Sequence, residues 1–123
     1  MLKYQTMNTN DATIIFEALS SPIRLNIFKL LVKYGDEGLV AGDIATALDV
    51  PPTNLSFHLK ALLHAKLVSV EQIGRFMWYR ANIPLMLAVI GYMTEECCAN
   101  QPEKCLAYRK ASAVPPEFFE KKN

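Results

Sequence analysis

The sequence predicts a mainly α-helical domain that carries one β-hairpin. Apolar residues recur at helical spacing through several segments of the first half of the chain. Two short runs rich in β-branched and aromatic residues then flank Gly74-Arg75, which is typical of a hairpin. A chain of 123 residues has the size of one domain. We expect residues 1–110 to form this domain and residues 111–123 to be a weakly ordered tail.

The first two helices are indicated by residues that favour helix ends. Thr9 or Asn10 can cap a first helix. Ser20-Ser21-Pro22 is a stronger start, because a serine cap is followed by proline at the first helical position. Gly35 is expected to end the second helix, whose apolar stripe predicts that it lies in the core.

A helix-turn-helix follows. A third helix is expected from about Ala41 to Leu48, and Asp49-Val50-Pro51-Pro52 forms the turn into a fourth. On the fourth helix, apolar residues at i, i+4, i+7 and i+8 form one stripe: Leu55, Leu59, Leu62 and Leu63.

The opposite face of the fourth helix carries hydroxyl, amide, aromatic and cationic groups. These groups are the ones that read base edges and contact phosphates, although a solvated amphipathic helix would look similar. The candidate DNA-contacting residues of this helix are Thr53, Asn54, Ser56, Phe57, His58 and Lys60.

The distribution of charge agrees with a local nucleic-acid surface. The whole chain has 13 basic and 12 acidic residues, a net charge of only +1. Residues 1–52 have four basic and six acidic groups (net −2), residues 53–80 four and one (net +3), and residues 81–123 five of each (net 0). The positive charge is therefore concentrated on the fourth helix and on the segment that follows it.

The order helix, turn, helix and hairpin is that of a winged helix. Arg75 at the hairpin tip can reach a phosphate or the minor groove, and a merely solvated arginine is equally compatible with the sequence. Asn82 and Pro84 begin a last helix, residues 83–96, that has no polar face. Because such a helix must be buried on all sides, we interpret it as a dimer interface, together with the first helix; an ordinary core helix is the alternative.

Three segments together resemble the ArsR/SmtB family of winged-helix repressors: SSPIRLNIFKLL, NLSFHLKALLHAKLV and QIGRFMWYR. The resemblance covers roughly residues 12–95 and implies a homodimer that occupies double-stranded operator DNA and leaves when an inducer binds. It also places His58 in the DNA-facing signature. The helical phase, however, brings His58 near the apolar stripe, so a half-buried histidine with a backbone partner is an alternative. Lys66 departs from the family's usual glycine and must adopt a left-handed conformation or let the helix end differently.

The cysteines set this chain apart within that family. The family's Cys-x-Cys site in the third helix is absent here, as are the Asp and His ligands of its zinc site on the last helix. Cys97, Cys98 and Cys105 instead cluster near the end of the last helix, and Asn100-Gln101-Pro102 can turn the chain so that their sulfurs converge.

Three thiolates suit a soft, thiophilic centre, and trivalent arsenic or antimony takes three sulfurs. The resemblance points the same way, since some members with such a cysteine set respond to arsenite. Zinc, cadmium or mercury is one alternative, although zinc needs a fourth ligand, for which only glutamates are near. A redox-sensing disulfide between Cys98 and Cys105 is another.

The sequence disfavours three other classes of protein: secreted proteins, membrane-spanning proteins and thiol enzymes. The N-terminus has no signal-peptide pattern, and the longest apolar run, Leu85 to Ile90, is far too short to span a membrane. We therefore expect a cytoplasmic protein with reduced thiols. A thiol enzyme such as an arsenate reductase is not expected, because the sequence has neither a phosphate-binding Gly-rich loop nor a Cys-x5-Arg motif.

Overall fold

A computed structural model describes residues 7–97 and 100–115 of the chain. It confirms the predicted class, a mainly α-helical fold with a β-hairpin. The elements in chain order are α1 (Thr9–Leu19), α2 (Pro22–Tyr34), β1 (Leu39–Val40), α3 (Ala41–Leu48), α4 (Pro52–His64), β2 (Val68–Ile73), β3 (Phe76–Ala81), α5 (Ile83–Thr94) and α6 (Pro102–Ala111).

The helix starts agree with the sequence except at α1. There, Asn8 is the cap: its side chain accepts from the backbone N–H of Asp11, and the Asp11 side chain accepts from the backbone N–H of Asn8. Thr9 and Asn10, the predicted caps, lie inside the helix, so that prediction is wrong by one or two residues. The prediction missed that Asn8 and Asp11 have the spacing of a reciprocal capping box.

The second helix begins and ends as predicted. The Ser21 hydroxyl accepts from the Arg24 backbone N–H at 3.4 Å, and Pro22 is the first helical residue. Gly35 ends the helix at φ 55°, a left-handed backbone that glycine adopts without steric cost. Its N–H donates to the carbonyl of Leu31 at 3.1 Å.

The hairpin is part of a three-stranded antiparallel sheet with the strand order β1-β3-β2. Strands β2 and β3 pair from Val68 opposite Ala81 to Ile73 opposite Phe76, as the hairpin prediction requires. The two-residue strand β1, which pairs with Tyr79 and Trp78 of β3, was not predicted. So short a strand has no period of its own, and only its long-range partner defines it.

One core joins the helices to the base of the hairpin. The residues with the lowest exposure come from α2, α3, α4 and the turn before β2: Ile27, Leu31, Ile44, Leu55, Leu62 and Leu67. Helix α5 adds Leu85 and Val89 to this core. The apolar stripe of α4 therefore fixes that helix against the domain and leaves its opposite face in solvent.

In the turn from α4 into β2, Lys66 adopts the left-handed conformation, the first of the two alternatives given for it above. Lys66 has φ 65°, so a lysine occupies the left-handed conformation that normally favours glycine. Its carbonyl accepts from the Asn82 side-chain amide at 2.8 Å. Asn82 also caps α5 as predicted, since its Oδ1 accepts from the Leu85 N–H at 3.2 Å.

The structure differs from the sequence prediction most at the C-terminal end. The last predicted helix ends at Thr94, and a further helix, α6, which the sequence analysis did not predict, carries Cys105. Residues 116–123, most of the tail expected to be weakly ordered, lie outside the described residues. Among the described helices, none is long and apolar enough to cross a membrane.

Candidate nucleic-acid interface and thiol pocket

The candidate DNA-contacting residues of α4 are exposed, with the exception of His58. We call the five exposed ones the reading face of α4: Thr53, Asn54, Ser56, Phe57 and Lys60. Phe57 is 68% exposed, so an aromatic ring lies at the surface among the polar groups of this face. The helix has no acidic residue, so the reading face is polar and cationic.

His58 lies at the edge of the reading face and not within it. Its side chain is half-buried, and its Nδ1 lies 3.3 Å from Nη1 of Arg24. The ring also meets that of Phe57 edge-on, with the centroids 5.5 Å apart and an interplanar angle of 74°. His58 thus has the supporting position that the helical phase indicated, although the observed partner is a side chain and not the expected backbone group.

Arg75 is exposed at the tip of the hairpin, next to Gly74, whose φ is 64°. The base of the hairpin is fixed by Arg80. Its Nη1 forms an ion pair with Glu71 at 2.8 Å, and its Nε donates to the carbonyl of Asp36 at 2.7 Å. Arg80 therefore joins both hairpin strands to the loop after α2, whereas Arg75 is exposed at the tip.

The structure brings two of the three cysteines together. Cys97 is exposed after the end of α5, and Cys105 is 5% exposed in α6. Their sulfurs are 3.6 Å apart. The turn before Pro102, where α6 begins, produces this approach, as the sequence analysis expected. Cys98 lies outside the described residues.

These sulfurs border an open pocket of about 540 Å³, which we call the thiol pocket. Its lining residues are Glu96, Cys97, Asn100, Gln101, Lys104, Cys105 and Tyr108.

Two sulfurs that each bind one metal ion at about 2.3 Å must lie within about 4.6 Å of each other, and this pair satisfies that limit. Within residues 7–97 and 100–115, no group of three or more His, Cys, Asp or Glu residues is placed to hold a metal ion. Cys105 is also disulfide-bonded. The described residues thus supply two of the three predicted sulfurs, and a site for a three-sulfur centre requires reduction of Cys105 and the addition of Cys98.

Sequence reasoning missed one residue that contacts α4 beside the reading face, Arg24. It lies on α2, and its contact with His58 spans 34 positions of the chain. No spacing rule pairs residues so far apart, because only the packing of α2 against α4 brings them together. The serine cap and proline that precede Arg24 located the start of α2 but gave no sign of this role.

Taken together, the helix-turn-helix of α3 and α4, the reading face and the hairpin wing define a winged helix-turn-helix regulator. Residues 19–71 match a family described as a helix-turn-helix domain. The chain is 35% identical over 79 residues to the transcriptional repressor SdpR of Bacillus subtilis, covering 64% of this chain and 84% of that protein. It is 34% identical over 83 residues to the arsenical resistance operon repressor of the same organism, covering 68% and 74%.

Solved structures show the same relationship. An ArsR-like transcriptional regulator from Rhodococcus superimposes with a TM-score of 0.60 at 26% identity, over 86% of this chain and 96% of that one. The homodimeric winged helix-turn-helix DNA-binding domain of a possible ArsR-family regulator from Mycobacterium bovis gives 0.56 at 27% identity, over 71% and 81%. The chain belongs to the ArsR/SmtB family of winged helix-turn-helix transcriptional repressors. These relatives are DNA-binding regulators and not enzymes.

Proposed function

We propose that this protein is a homodimeric repressor that leaves its operator DNA when trivalent arsenic or antimony binds the thiolates of Cys97, Cys98 and Cys105. The observation that carries the proposal is the 3.6 Å separation of the Cys97 and Cys105 sulfurs across the turn between α5 and α6. The similarity to an arsenical resistance operon repressor supports a role in the response to arsenic. Soft thiolates favour such a centre over harder metals.

The DNA contact in this proposal is made by α4 and the wing. The reading face enters the major groove, where hydroxyl and amide groups contact base edges and Lys60 contacts phosphate. Arg75 supplies a cation at the wing tip. The net charge of +3 over residues 53–80, from four basic and one acidic residue, favours this surface over the rest of the chain.

The second copy of the chain packs on α1 and α5. Apolar side chains remain exposed on both helices, including Ile14 at 53%, Phe16 at 43% and Met93 at 65%. The helix α5 is almost wholly apolar, yet in one chain it buries only Leu85 and Val89. A contiguous apolar surface of this kind is typical of an interface, and the related Mycobacterium bovis domain is homodimeric.

The thiol pocket and the dimer helices are connected within one chain. The Tyr92 hydroxyl of α5 hydrogen-bonds with the Thr9 hydroxyl of α1, and Cys97 lies three residues beyond Thr94, the last residue of α5. Drawing the three sulfurs together would shift α6 against the end of α5. That shift changes the interface that sets the separation of the two reading faces, which must match half-sites about 34 Å apart.

The test is DNA binding measured by fluorescence anisotropy, with a duplex that the reduced wild-type protein selects from a random-sequence library. Arsenite should raise the dissociation constant by about 5–150-fold, the usual range of such coupling. Cys97→Ser and Cys105→Ser should each abolish the arsenite response while leaving DNA binding intact. Persistence of the response in Cys105→Ser would contradict the proposed site.

A matched control separates arsenic from harder metals. Glu96 lines the same pocket but offers only oxygen, so Glu96→Gln should keep the full arsenite response. If zinc also releases the duplex, and Glu96→Gln removes that response, the site is a four-ligand metal site and the arsenic proposal is wrong.

The dimer is tested by sedimentation velocity. Leu87 is 39% exposed on α5, and Leu87→Glu should give a monomer because an unpaired carboxylate cannot be buried in an apolar interface. Ile73→Glu, at a 49% exposed position of the wing, should leave the dimer intact. A dimeric Leu87→Glu variant would show that α5 is not the interface.

A second candidate function is thiol redox sensing, which the disulfide bond at Cys105 favours. Oxidation would join two thiols with loss of two protons and two electrons to a peroxide, which is reduced to water. In this case peroxide in the presence of a chelator releases the duplex, and a dithiol reductant restores binding. Release by arsenite under reducing conditions, with no response to peroxide, would exclude it.

A further inference from the structure

A single arginine connects three helices around the DNA-reading element. Arg24, in the first turn of α2, donates from Nε to the carbonyl of Ala18 in α1 at 2.6 Å. Its Nη1 lies 3.3 Å from Nδ1 of His58 on α4. The guanidinium is half-buried, so these contacts are partly shielded from water and are stronger than exposed ones.

The contact determines which nitrogen of the His58 ring carries the proton. A guanidinium has donors only, so Nδ1 must accept, and the neutral ring carries its proton on Nε2. The ring is thereby held in one orientation. Because Phe57 packs edge-on against this ring, the orientation of His58 also limits that of the exposed Phe57.

The hydrogen bond from Arg24 to the Ala18 carbonyl fixes the end of α1. Ala18 lies in the last turn of that helix, where carbonyl groups have no intrahelical partner. The last turn has no basic residue of its own, and Arg24 supplies a cation at this negative end of the helix dipole. The planar guanidinium can contact the carbonyl and the imidazole at the same time, whereas the single ammonium of a lysine cannot keep this fork geometry.

We propose that Arg24 is a positioning residue for DNA binding. It holds α4 at a fixed orientation against the junction of α1 and α2, and it acts through His58 without touching DNA. This inference rests on the proposed function only in taking α4 as the helix that reads DNA.

The test uses Arg24→Lys, which keeps the charge and removes the fork. With the duplex selected by the wild-type protein and at one salt concentration, the dissociation constant should rise about 10-fold, the effect expected for one charge-assisted hydrogen bond. Lys29→Arg, the reverse exchange at an exposed position of the same helix, should leave the dissociation constant unchanged.

A double-mutant cycle with His58→Leu shows whether the two residues act together. If Arg24 acts through His58, the double variant should lose no more affinity for DNA than the single variant that binds DNA less tightly. Additive losses would overturn the proposal. His58→Leu also provides an independent arm if Arg24→Lys folds poorly, since it should by itself raise the dissociation constant about 10-fold.

A spectroscopic measurement separates positioning from general stability. In ¹⁵N spectra of the imidazole at alkaline pH, the wild-type ring should be in the Nε2–H form, and Arg24→Lys should shift it towards a mixture of tautomers. An unchanged tautomer in Arg24→Lys would overturn the proposal. If the wild-type protein selects no duplex, the proposed function fails; if it binds and the losses are additive, only the role of Arg24 fails.

Discussion

Replacing Gly38 with alanine tests how closely the loop after α2 approaches the hairpin. Gly38 is buried with φ +72°. A Cβ atom there would lie 2.5 Å from the carbonyl oxygen of Tyr79 and 2.7 Å from Cγ of Arg80. Both distances are below any normal contact, and the nearer one involves backbone, so the loop or strand β3 must move.

The expected loss of stability has two parts. A left-handed conformation costs a residue with a Cβ about 1–2 kcal/mol, and forcing packed groups apart costs about 1–3 kcal/mol. Alanine also restricts the unfolded chain, which returns about 0.4–1 kcal/mol. We therefore expect Gly38→Ala to lower the free energy of unfolding by about 3 kcal/mol, within a range of about 1–4.6 kcal/mol.

The assay is urea denaturation at one protein concentration, with two other glycines as controls. Gly74 has φ +64° but nothing within 4 Å of a Cβ, so Gly74→Ala should cost only about 1 kcal/mol. Gly42 lies in α3 with open space and no positive φ, so Gly42→Ala should be neutral or stabilising by about 0.5 kcal/mol.

Equal losses for Gly38→Ala and Gly74→Ala would refute the close approach, because the backbone conformation alone would then account for both. If the approach is real, Gly38→Ala should also weaken DNA binding. The strand that must move carries Arg80, which fixes the hairpin to the carbonyl of Asp36, and the tip of that hairpin carries Arg75.

Three further substitutions test local features of the fold. Asn8→Ala should destabilise the protein by about 1 kcal/mol in thermal unfolding, since it removes the cap of α1; an equal effect of Asn10→Ala would contradict the assignment of the cap. Lys66→Gly should stabilise by up to about 1 kcal/mol in urea, because it relieves a non-glycine φ of 65°; a loss of stability would argue against this backbone. Tyr92→Phe should cost about 0.5–1.5 kcal/mol through loss of its hydrogen bond with Thr9, and exchange of α1 amides with deuterium should then become faster, whereas unchanged exchange would rule out the link.

The two sites of this protein lie on different parts of the fold. The reading face is on α4, while the thiol pocket is formed where α5 is followed by α6. Helix α1 contacts both regions, through the Thr9 hydrogen bond with Tyr92 and the Ala18 contact with Arg24. Thr9 and Ala18 are nine residues apart in this helix, about 13.5 Å at 1.5 Å per residue, so one helix spans the distance between the two contacts. Tests of α1 therefore bear on both DNA binding and its regulation.

Much of the fold follows from local sequence. The period of the apolar residues predicts helices α1 to α5, and Ser21-Pro22, Gly35 and Asn82 mark helix ends that the structure confirms. The change to β-branched and aromatic residues around Gly74-Arg75 predicts the hairpin that the structure contains. These features are determined by neighbours within a few positions, so the sequence alone contains the physical information that defines them.

Other features depend on groups that are distant in the chain. The amphipathic signal of α6 is weak, and its position is defined by the turn that brings Cys105 to 3.6 Å from Cys97. Strand β1 exists because Tyr79 and Trp78 provide its hydrogen-bonding partners.

The sequence by itself determined the winged-helix class, the residues of the reading face and the cysteines that can gather at the C-terminal end. Only the tertiary structure decided that His58 meets Arg24, across 34 positions. Local periodicity fixes the face on which a side chain lies, but the partner that it meets there depends on how whole helices pack.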